Sequence, residues 1–183
     1  MNSANSFQRT AVFISGTGSC LQALLETSEY QNICLVIANK KNISGLLKAK
    51  RFGTDIICMD FKFNFSELHK ILIQKKIEKI FLAGFMKIIP SDFIENWSGK
   101  IFNIHPSLLP KHKGLRGFEK SFEAMDDMGA TIHHVTAEMD SGKIIFQKKS
   151  ETWNPDLSQN KAQISVHMAE QHILREFSQK RIF

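Results

Sequence analysis

Cysteine is scarce in this chain. Only three of its 183 residues are cysteines, and no pair has the Cys-x-x-Cys spacing of many zinc and redox sites. An odd number of cysteines also argues against a disulfide framework. Cys34 and Cys58 lie in apolar stretches, where a free thiol behaves as a small hydrophobic side chain. We therefore expect a cytoplasmic protein without disulfides and without bound metal.

Long apolar runs are missing as well. No stretch approaches the roughly 18 apolar residues of a membrane-spanning helix, and Met1 to Thr10 lacks the apolar segment of a secretory signal. The sequence therefore predicts neither a membrane protein nor a secreted one. Its 43% hydrophobic content suffices for one buried core. We predict one domain over residues 1–183, with a polar tail at 1–10.

Acidic residues are fewer than basic ones, 18 against 24, which leaves a net charge of +6. Such a balance suits either a nucleic-acid-binding protein or an enzyme for small anionic molecules. Aromatic residues do not alternate with the lysine pairs Lys40-Lys41 and Lys75-Lys76 in an RNA-binding pattern. The scattered charges favour small phosphorylated substrates over nucleic acid.

The first 104 residues alternate apolar segments with amphipathic ones. Thr10 to Ser15 is predicted to be a strand that ends in a turn at Gly16 to Gly18, and Ser19 opens a helix. The same unit recurs, with strands predicted at 33–38, 55–59, 79–83 and 101–104, and helices at 44–52, 66–76 and 91–97, the last capped by Ser91 or Asp92. Strands that are apolar on both faces indicate a doubly wound α/β fold with a mostly parallel sheet. Ligands of such folds bind beyond the carboxyl ends of the strands.

The remaining residues depart from this pattern. A helix is predicted at 117–128, followed by two strands at 130–135 and 143–149 around a turn at Asp140 to Gly142. A long helix at about 158–179 closes the chain. We expect an antiparallel C-terminal extension of the sheet and a long C-terminal helix.

The turn after the first strand, Gly16 to Cys20, is one candidate binding site. Backbone N–H groups at the start of a helix bind anions, and small residues let a phosphate approach. Leu21 occupies the third glycine position of a dinucleotide fingerprint, and the Gly-Lys-Ser/Thr of a P-loop is missing. A tight turn without a ligand remains the alternative.

The segment after the fifth strand carries the second candidate site. Period two along a strand places Asn103 and His105 on the same side, where an amide and an imidazole could both stabilise one oxyanion. Asp140 precedes Ser141-Gly142 and could be only a turn former. If it lies beside His105, its charge would raise the imidazole pKa and favour the imidazolium.

Together these residues resemble the glycinamide ribonucleotide formyltransferases, a folate-dependent family of purine synthesis. The resemblance covers about 11–147. Its blocks are Ile14 to Ser19, Asn39-Lys40, Leu82 to Ile88, Asn103 to Pro110 and Asp140 to Gly142.

The resemblance implies the reaction and the residues that perform it. The substrates would be 10-formyltetrahydrofolate, as the formyl donor, and glycinamide ribonucleotide, with no metal and a monomer or homodimer as the active form. The implied catalytic residues are Asn103, His105 and Asp140. The implied contacts with the amine substrate are Gly18, Ser19, Cys20 and Glu170. The implied contacts with the folate are Met86, Lys87, Ile88, Ile89, Asn103, Thr136, Ala137, Glu138, Met139 and Asp140.

Four features differ from the family pattern or lie outside it. Cys20 stands where the family usually has Asn, and Lys87 replaces the more usual Arg. The loop Asp60 to Phe65 lacks the arginine expected near the folate tail. The pair His133-His134 is interpreted as structural, with His133 inward and His134 outward on a strand.

Four other functions are compatible with parts of the pattern. A formyltetrahydrofolate hydrolase would share the Asn, His and Asp residues, but ten polar residues before the first strand leave no room for its usual regulatory domain. A methionyl-tRNA formyltransferase would need a C-terminal barrel. A sugar N-formyltransferase is the strongest enzyme rival, and an inert nucleotide- or RNA-binding domain is the rival outside enzymes.

Overall fold

One seven-stranded sheet organises the chain, for which a computed structural model describes residues 8–28, 30–60 and 64–179. The strand order is β3-β2-β1-β4-β5-β6-β7. The first five strands pair in parallel, whereas β6 is antiparallel to β5 and β7 is antiparallel to β6. The strands are β1 (Thr10–Ile14), β2 (Ile33–Ala38), β3 (Asp55–Cys58), β4 (Lys79–Leu82), β5 (Ile101–His105), β6 (Met128–His134) and β7 (Ile144–Glu151). The predicted mostly parallel α/β sheet with an antiparallel C-terminal end is confirmed.

Each central strand supplies side chains to two hydrophobic cores. Along β1, Val12 and Ile14 enter the core on one face of the sheet, while Ala11 and Phe13 enter the core on the other. All four side chains are fully buried. This two-sided burial explains why the strand reads as a continuous apolar run.

The helices cover both faces of the sheet. On one face pack α1 and the long C-terminal helix α6, and on the other pack α3 and α4. The helices are α1 (Ser19–Leu25), α2 (Ser44–Arg51), α3 (Phe65–Gln74), α4 (Ser91–Asn96), α5 (Gly117–Glu123) and α6 (Gln159–Gln179). Among the described residues, none of these helices is long and apolar enough to cross a membrane.

Two local predictions were wrong. The helix predicted at 117–128 ends at Glu123, because Met125 adopts a left-handed conformation with φ of 57° and the Asp126 N–H returns to the Ser121 carbonyl. Met128 is then buried as the first residue of β6. The predicted caps of α4 lie inside the helix, since Pro90 occupies the N-cap position and contributes no side-chain hydrogen bond.

The order of the strands reverses direction at β1. From β1 the chain proceeds outward to β2 and β3, and then crosses to β4 and β5 on the other side. In such sheets a crevice opens at this point, beyond the carboxyl ends of the strands. The predicted sites after β1 and β5 both lie at this edge.

Candidate active site

His105 ends β5 and is held at both ring nitrogens. Its Nε2 lies 2.9 Å from the His112 carbonyl oxygen, and its Nδ1 lies 3.4 Å from Asp140 Oδ2. Only 5% of its surface is exposed. Burial lowers the pKa of His105 below its ordinary value, although the His112 hydrogen bond and the Asp140 charge oppose that effect. The resting imidazole is therefore neutral at physiological pH.

Asp140 is placed beside His105 by an unusual backbone conformation. Its φ is 50°, in the left-handed region that Asp tolerates better than most residues. Its Oδ2 accepts the Gly114 N–H at 2.8 Å. Burial opposes ionisation, but hydrogen bonding to His133, the charge of His105 and the Gly114 N–H lower the pKa of Asp140 to about 2. The carboxylate is thus charged throughout the physiological range.

Asn103 contacts a histidine that the sequence analysis had assigned a structural role. His133 lies opposite Asn103 across the β5–β6 pair, and its Nε2 is 3.1 Å from Asn103 Nδ2. Its Nδ1 is 2.8 Å from the His134 carbonyl oxygen, and its Nε2 is 3.4 Å from Asp140 Oδ1. The His134 carbonyl can only accept, so Nδ1 carries a proton, while Nε2 lies within reach of both the Asn103 amide and the Asp140 carboxylate.

His133 therefore belongs to the same buried polar group as the three predicted residues. The prediction that it faces inward was correct, but the interpretation that it is only structural missed these contacts. The antiparallel register that brings it opposite Asn103 is a property of strand pairing, and strand pairing cannot be inferred from the spacing of the two residues. The four side chains form one connected set in the order Asn103, His133, Asp140, His105.

Close packing under His105 requires a glycine. A Cβ added to Gly117, the first residue of α5, would lie 2.6 Å from His105 Nε2 and 3.0 Å from its Cε1. Such distances are shorter than normal packing allows, so any side chain at this position would displace the imidazole. The sequence analysis had no signal for this contact.

The turn after β1 has the backbone geometry of a close approach. Gly18 has a φ of 68°, and a Cβ there would lie 2.6 Å from the Cα of Gly45 in α2. Ser19 is half-buried, and Cys20 packs into the hydrophobic core. Burial raises the pKa of the Cys20 thiol, and the charge of Glu170 adds to that increase. The thiol is therefore neutral, and the polar groups that this turn can offer a ligand come from its backbone and from Ser19.

Glu170, on α6, lies near enough to influence both predicted sites. Its charge raises the pKa of Cys20 and, more weakly, that of His105. Its side chain is only 14% exposed, and Oε2 lies 3.1 Å from His167 Nδ1. The structure thus brings Glu170 to the edge where β1 and β5 end.

The residues assigned to folate binding form two segments along this edge. In the first, Met86, Lys87 and Ile88 are exposed and Ile89 is half-buried. The Met86 N–H donates to Ser15 Oγ at 2.8 Å, which ties this segment to the end of β1. In the second segment, Thr136 to Met139 is exposed. Of the loop Asp60 to Phe65, residues 61–63 lie outside the described part of the chain.

A cavity adjoins the second segment. Its volume is about 360 Å³, and it is lined by Ile94, Glu95, Ser98, Gly99, His134, Val135, Thr136, Ala137 and Lys143. Only Thr136 and Ala137 of these were predicted. The helix α4 contributes Ile94 and Glu95 to one side, and no sequence motif marked it as part of a site. Within the described ranges, no three His, Cys, Asp or Glu side chains are grouped to hold a metal ion.

Comparison with known proteins identifies the family of the chain. The family model described as Formyl transferase matches residues 8–177. The chain belongs to the formyl transferase family. Phosphoribosylglycinamide formyltransferase from Haemophilus influenzae is 36% identical over 154 residues, which cover 78% of this chain and 72% of the relative.

Two further comparisons show similar proteins. A trifunctional purine biosynthetic protein adenosine-3 from Gallus gallus is 41% identical over 152 residues, 76% of this chain but only 15% of the relative. The chain thus spans a small part of such trifunctional relatives. The crystal structure of phosphoribosylglycinamide formyltransferase from Anaplasma phagocytophilum superposes with a TM-score of 0.86 at 32% identity and covers 94% of this chain and 87% of that one.

Proposed function

We propose that this protein transfers a formyl group from 10-formyltetrahydrofolate to the amine of glycinamide ribonucleotide. Membership of the formyl transferase family supports the reaction class. The connected set Asn103, His133, Asp140 and His105, at the carboxyl ends of the strands, is the observation that carries the proposal. A half-buried amide, two imidazoles and a charged carboxylate are groups suited to acyl transfer to an amine.

Asn103 is the donor for the oxygen of the tetrahedral intermediate. The amide of Asn103 has two protons, and the contact with His133 uses one of them. The other is available to the oxyanion that forms when the substrate amine attacks the formyl carbon. A fixed donor of this kind typically contributes on the order of 100- to 1000-fold to the rate.

His105 and Asp140 handle the proton. The amine loses a proton as its nitrogen bonds to the formyl carbon, and the folate nitrogen gains one as it departs. His105 Nδ1 faces Asp140, so a proton arriving on this nitrogen is stabilised by the carboxylate at 3.4 Å. Protonated His105 then adds positive charge beside the oxyanion, and because both of its ring nitrogens face protein oxygens, its proton passes to the leaving nitrogen through water.

Gly18, Ser19 and Cys20 bind the phosphate of the amine substrate, and Glu170 binds its amine end. Left-handed Gly18 and its contact with Gly45 leave the backbone at this turn bare of side chains, which permits a close approach. The charge of Glu170 acts on both Cys20, in this turn, and His105. The two segments at 86–89 and 136–140, together with Asn103, hold the folate, and the adjoining cavity takes part of it.

The test is a folate absorbance assay with 10-formyltetrahydrofolate, run with and without glycinamide ribonucleotide. Release of tetrahydrofolate only when the ribonucleotide is present supports the proposal. Release without an amine would indicate a hydrolase, and release only with an amino-sugar nucleotide would indicate a sugar N-formyltransferase. Glycinamide riboside, which lacks the phosphate, should bind far more weakly, because charge-assisted hydrogen bonds at 18–20 are lost.

A further inference from the structure

The loop after β5 folds back over His105 and is held from outside by one carboxylate. Asp126 Oδ1 accepts a hydrogen bond from Lys111 Nζ at 2.9 Å, and its Oδ2 lies 2.8 Å from His112 Nε2. Asp126 follows α5, and its own N–H bonds to the Ser121 carbonyl. One side chain therefore binds two successive residues of the loop.

The carbonyl groups of the same two residues point the other way, into the site. The Lys111 carbonyl accepts the Ser107 hydroxyl at 2.9 Å, and the His112 carbonyl lies 2.9 Å from His105 Nε2. His112 reaches this arrangement in a left-handed conformation, with a φ of 55°. That conformation is unfavourable for a side chain of this size, so the surrounding contacts must maintain it.

We propose that Asp126 is a positioning residue for the reaction, because by fixing His112 it keeps the proton of neutral His105 on Nε2 and leaves Nδ1 free for Asp140. A carbonyl can only accept, so the nitrogen that faces it must carry the proton. Without that carbonyl, neutral His105 would place its proton on Nδ1, towards the Asp140 carboxylate, and could no longer accept a proton there. The predicted change in rate rests on the proposed formyl transfer, whereas the predicted tautomer of His105 does not.

Asp127 provides a matched control. It is the next residue, an exposed aspartate that is also in an ion pair, and its Oδ2 accepts from Lys149 Nζ at 2.7 Å. It has no described contact with the loop at 111–114. Asp126→Ala and Asp127→Ala thus remove equal charge from the same turn, and only the first should affect His105. Asp126→Glu keeps the carboxylate, so the tautomer of His105 and the rate should stay close to those of the wild type.

The experiment measures ¹⁵N NMR shifts of His105 and the kinetics of formyl transfer in the three variants. In Asp126→Ala we expect His105 to shift from the Nε2–H to the Nδ1–H tautomer, and kcat to fall on the order of 10- to 100-fold with KM changed little. Asp127→Ala should match the wild type in both measurements.

An unchanged His105 tautomer in a folded Asp126→Ala variant would overturn the proposal. If that variant does not fold, the two contacts of Asp126 can be removed one at a time. Lys111→Met removes the contact with Lys111, and His112→Phe removes the contact with the His112 ring. Only His112→Phe should then change the tautomer of His105. The opposite pattern, a tautomer shift in Lys111→Met alone, also overturns it. If the wild type transfers no formyl group, the proposed function fails, while the NMR result still decides the role of Asp126.

Discussion

His105 Nδ1 lies 3.4 Å from Asp140 Oδ2, while Nε2 of the same ring lies 2.9 Å from the His112 carbonyl oxygen. A neutral imidazole carries one proton, and the shorter contact takes it. The Nδ1 lone pair then faces the carboxylate, and protonation of the ring converts this contact into a charged hydrogen bond. The sequence analysis expected Asp140 to raise the pKa of His105. It does so, but burial lowers that pKa by more.

Replacing Asp140 by Asn should lower the pKa of His105 further. The charge that favours the imidazolium is lost, while the burial that disfavours it remains. We expect formyl transfer to slow on the order of 100-fold or more, because His105 no longer takes up a proton efficiently. The limb of the pH–rate profile that His105 controls should move to lower pH. If Asp140 were only a turn former, Asn would serve equally at φ 50°, and an NMR titration of His105 would show no shift.

Acid should destabilise the wild type more steeply than Asp140→Asn. The pKa of Asp140 is about 2 in the folded protein against an ordinary 3.8, so its contribution is complete above 3.8 and is lost as the pH falls towards 2. The difference corresponds to about 2 kcal/mol in the free energy of unfolding. The lowered pKa of His105 makes both proteins less stable as the pH drops below about 6.5, and it does so more strongly in Asp140→Asn, so the effect of Asp140 itself is the difference that develops between pH 3.8 and 2. Urea unfolding between pH 2.5 and 7 measures both. Parallel curves for the two proteins would contradict the prediction.

The sequence predicted the sheet and the strand ends at which the candidate site lies, but not the contacts across that site. The strands were predictable because two-sided burial leaves a continuous apolar run, as in β1 and β2. Asn103 and His105 were predictable from period two along one strand. His133 and Gly117 were not, because each meets its partner through the packing of a separate element. Local sequence carries little information about such long-range registers.

Gly117→Ala should impair catalysis although alanine favours helices. The gain in helix propensity is about 1 kcal/mol. The new Cβ would lie 2.6 Å from His105 Nε2, however, and overpacking of this kind costs about 1 to 3 kcal/mol. We expect a protein of slightly lower stability whose kcat falls on the order of 100-fold, since His105 must move. Glu119→Ala, two residues along the same helix, is the control for substitution in α5. Normal kcat in Gly117→Ala would show that the imidazole relaxes without loss.

His133→Leu should release the Asn103 amide and lower kcat. Leucine fills similar space but provides neither the contact to Asn103 Nδ2 nor the one to the His134 carbonyl. With the amide free to rotate, we expect kcat to fall about 10- to 100-fold. The neighbouring His134→Phe is a matched control, since His134 packs its ring on Phe102 at 4.7 Å and its buried Nδ1 has no hydrogen-bond partner among the described residues. That variant should keep kcat and gain stability, and because His134 also lines the cavity proposed for the folate, its effect on substrate binding is confined to the KM for the formyl-folate. Equal losses of kcat in both variants would assign the effect to strand packing instead of the amide.

Glu170→Gln tests the link between α6 and the amine substrate. Glu170 Oε2 accepts from His167 Nδ1 at 3.1 Å, and this hydrogen bond raises the pKa of His167 while burial opposes the rise. The favourable charge between them is fully present below the ordinary His value of about 6.5 and is lost as the pH rises through the higher folded pKa. Glutamine retains the shape but not the charge, so the pKa of His167 should fall, as an NMR titration would show.

If Glu170 also binds the substrate amine, the KM for glycinamide ribonucleotide should rise in the same variant while the KM for the formyl-folate does not. His167→Gln separates the two roles, because it removes the imidazole and leaves the carboxylate. It should keep the KM for the ribonucleotide close to that of the wild type. A raised KM in His167→Gln but not in Glu170→Gln would mean that the imidazole, and not the carboxylate, contacts the substrate. A lowered pKa of His167 with unchanged KM in Glu170→Gln would confine Glu170 to its pair with His167 within α6.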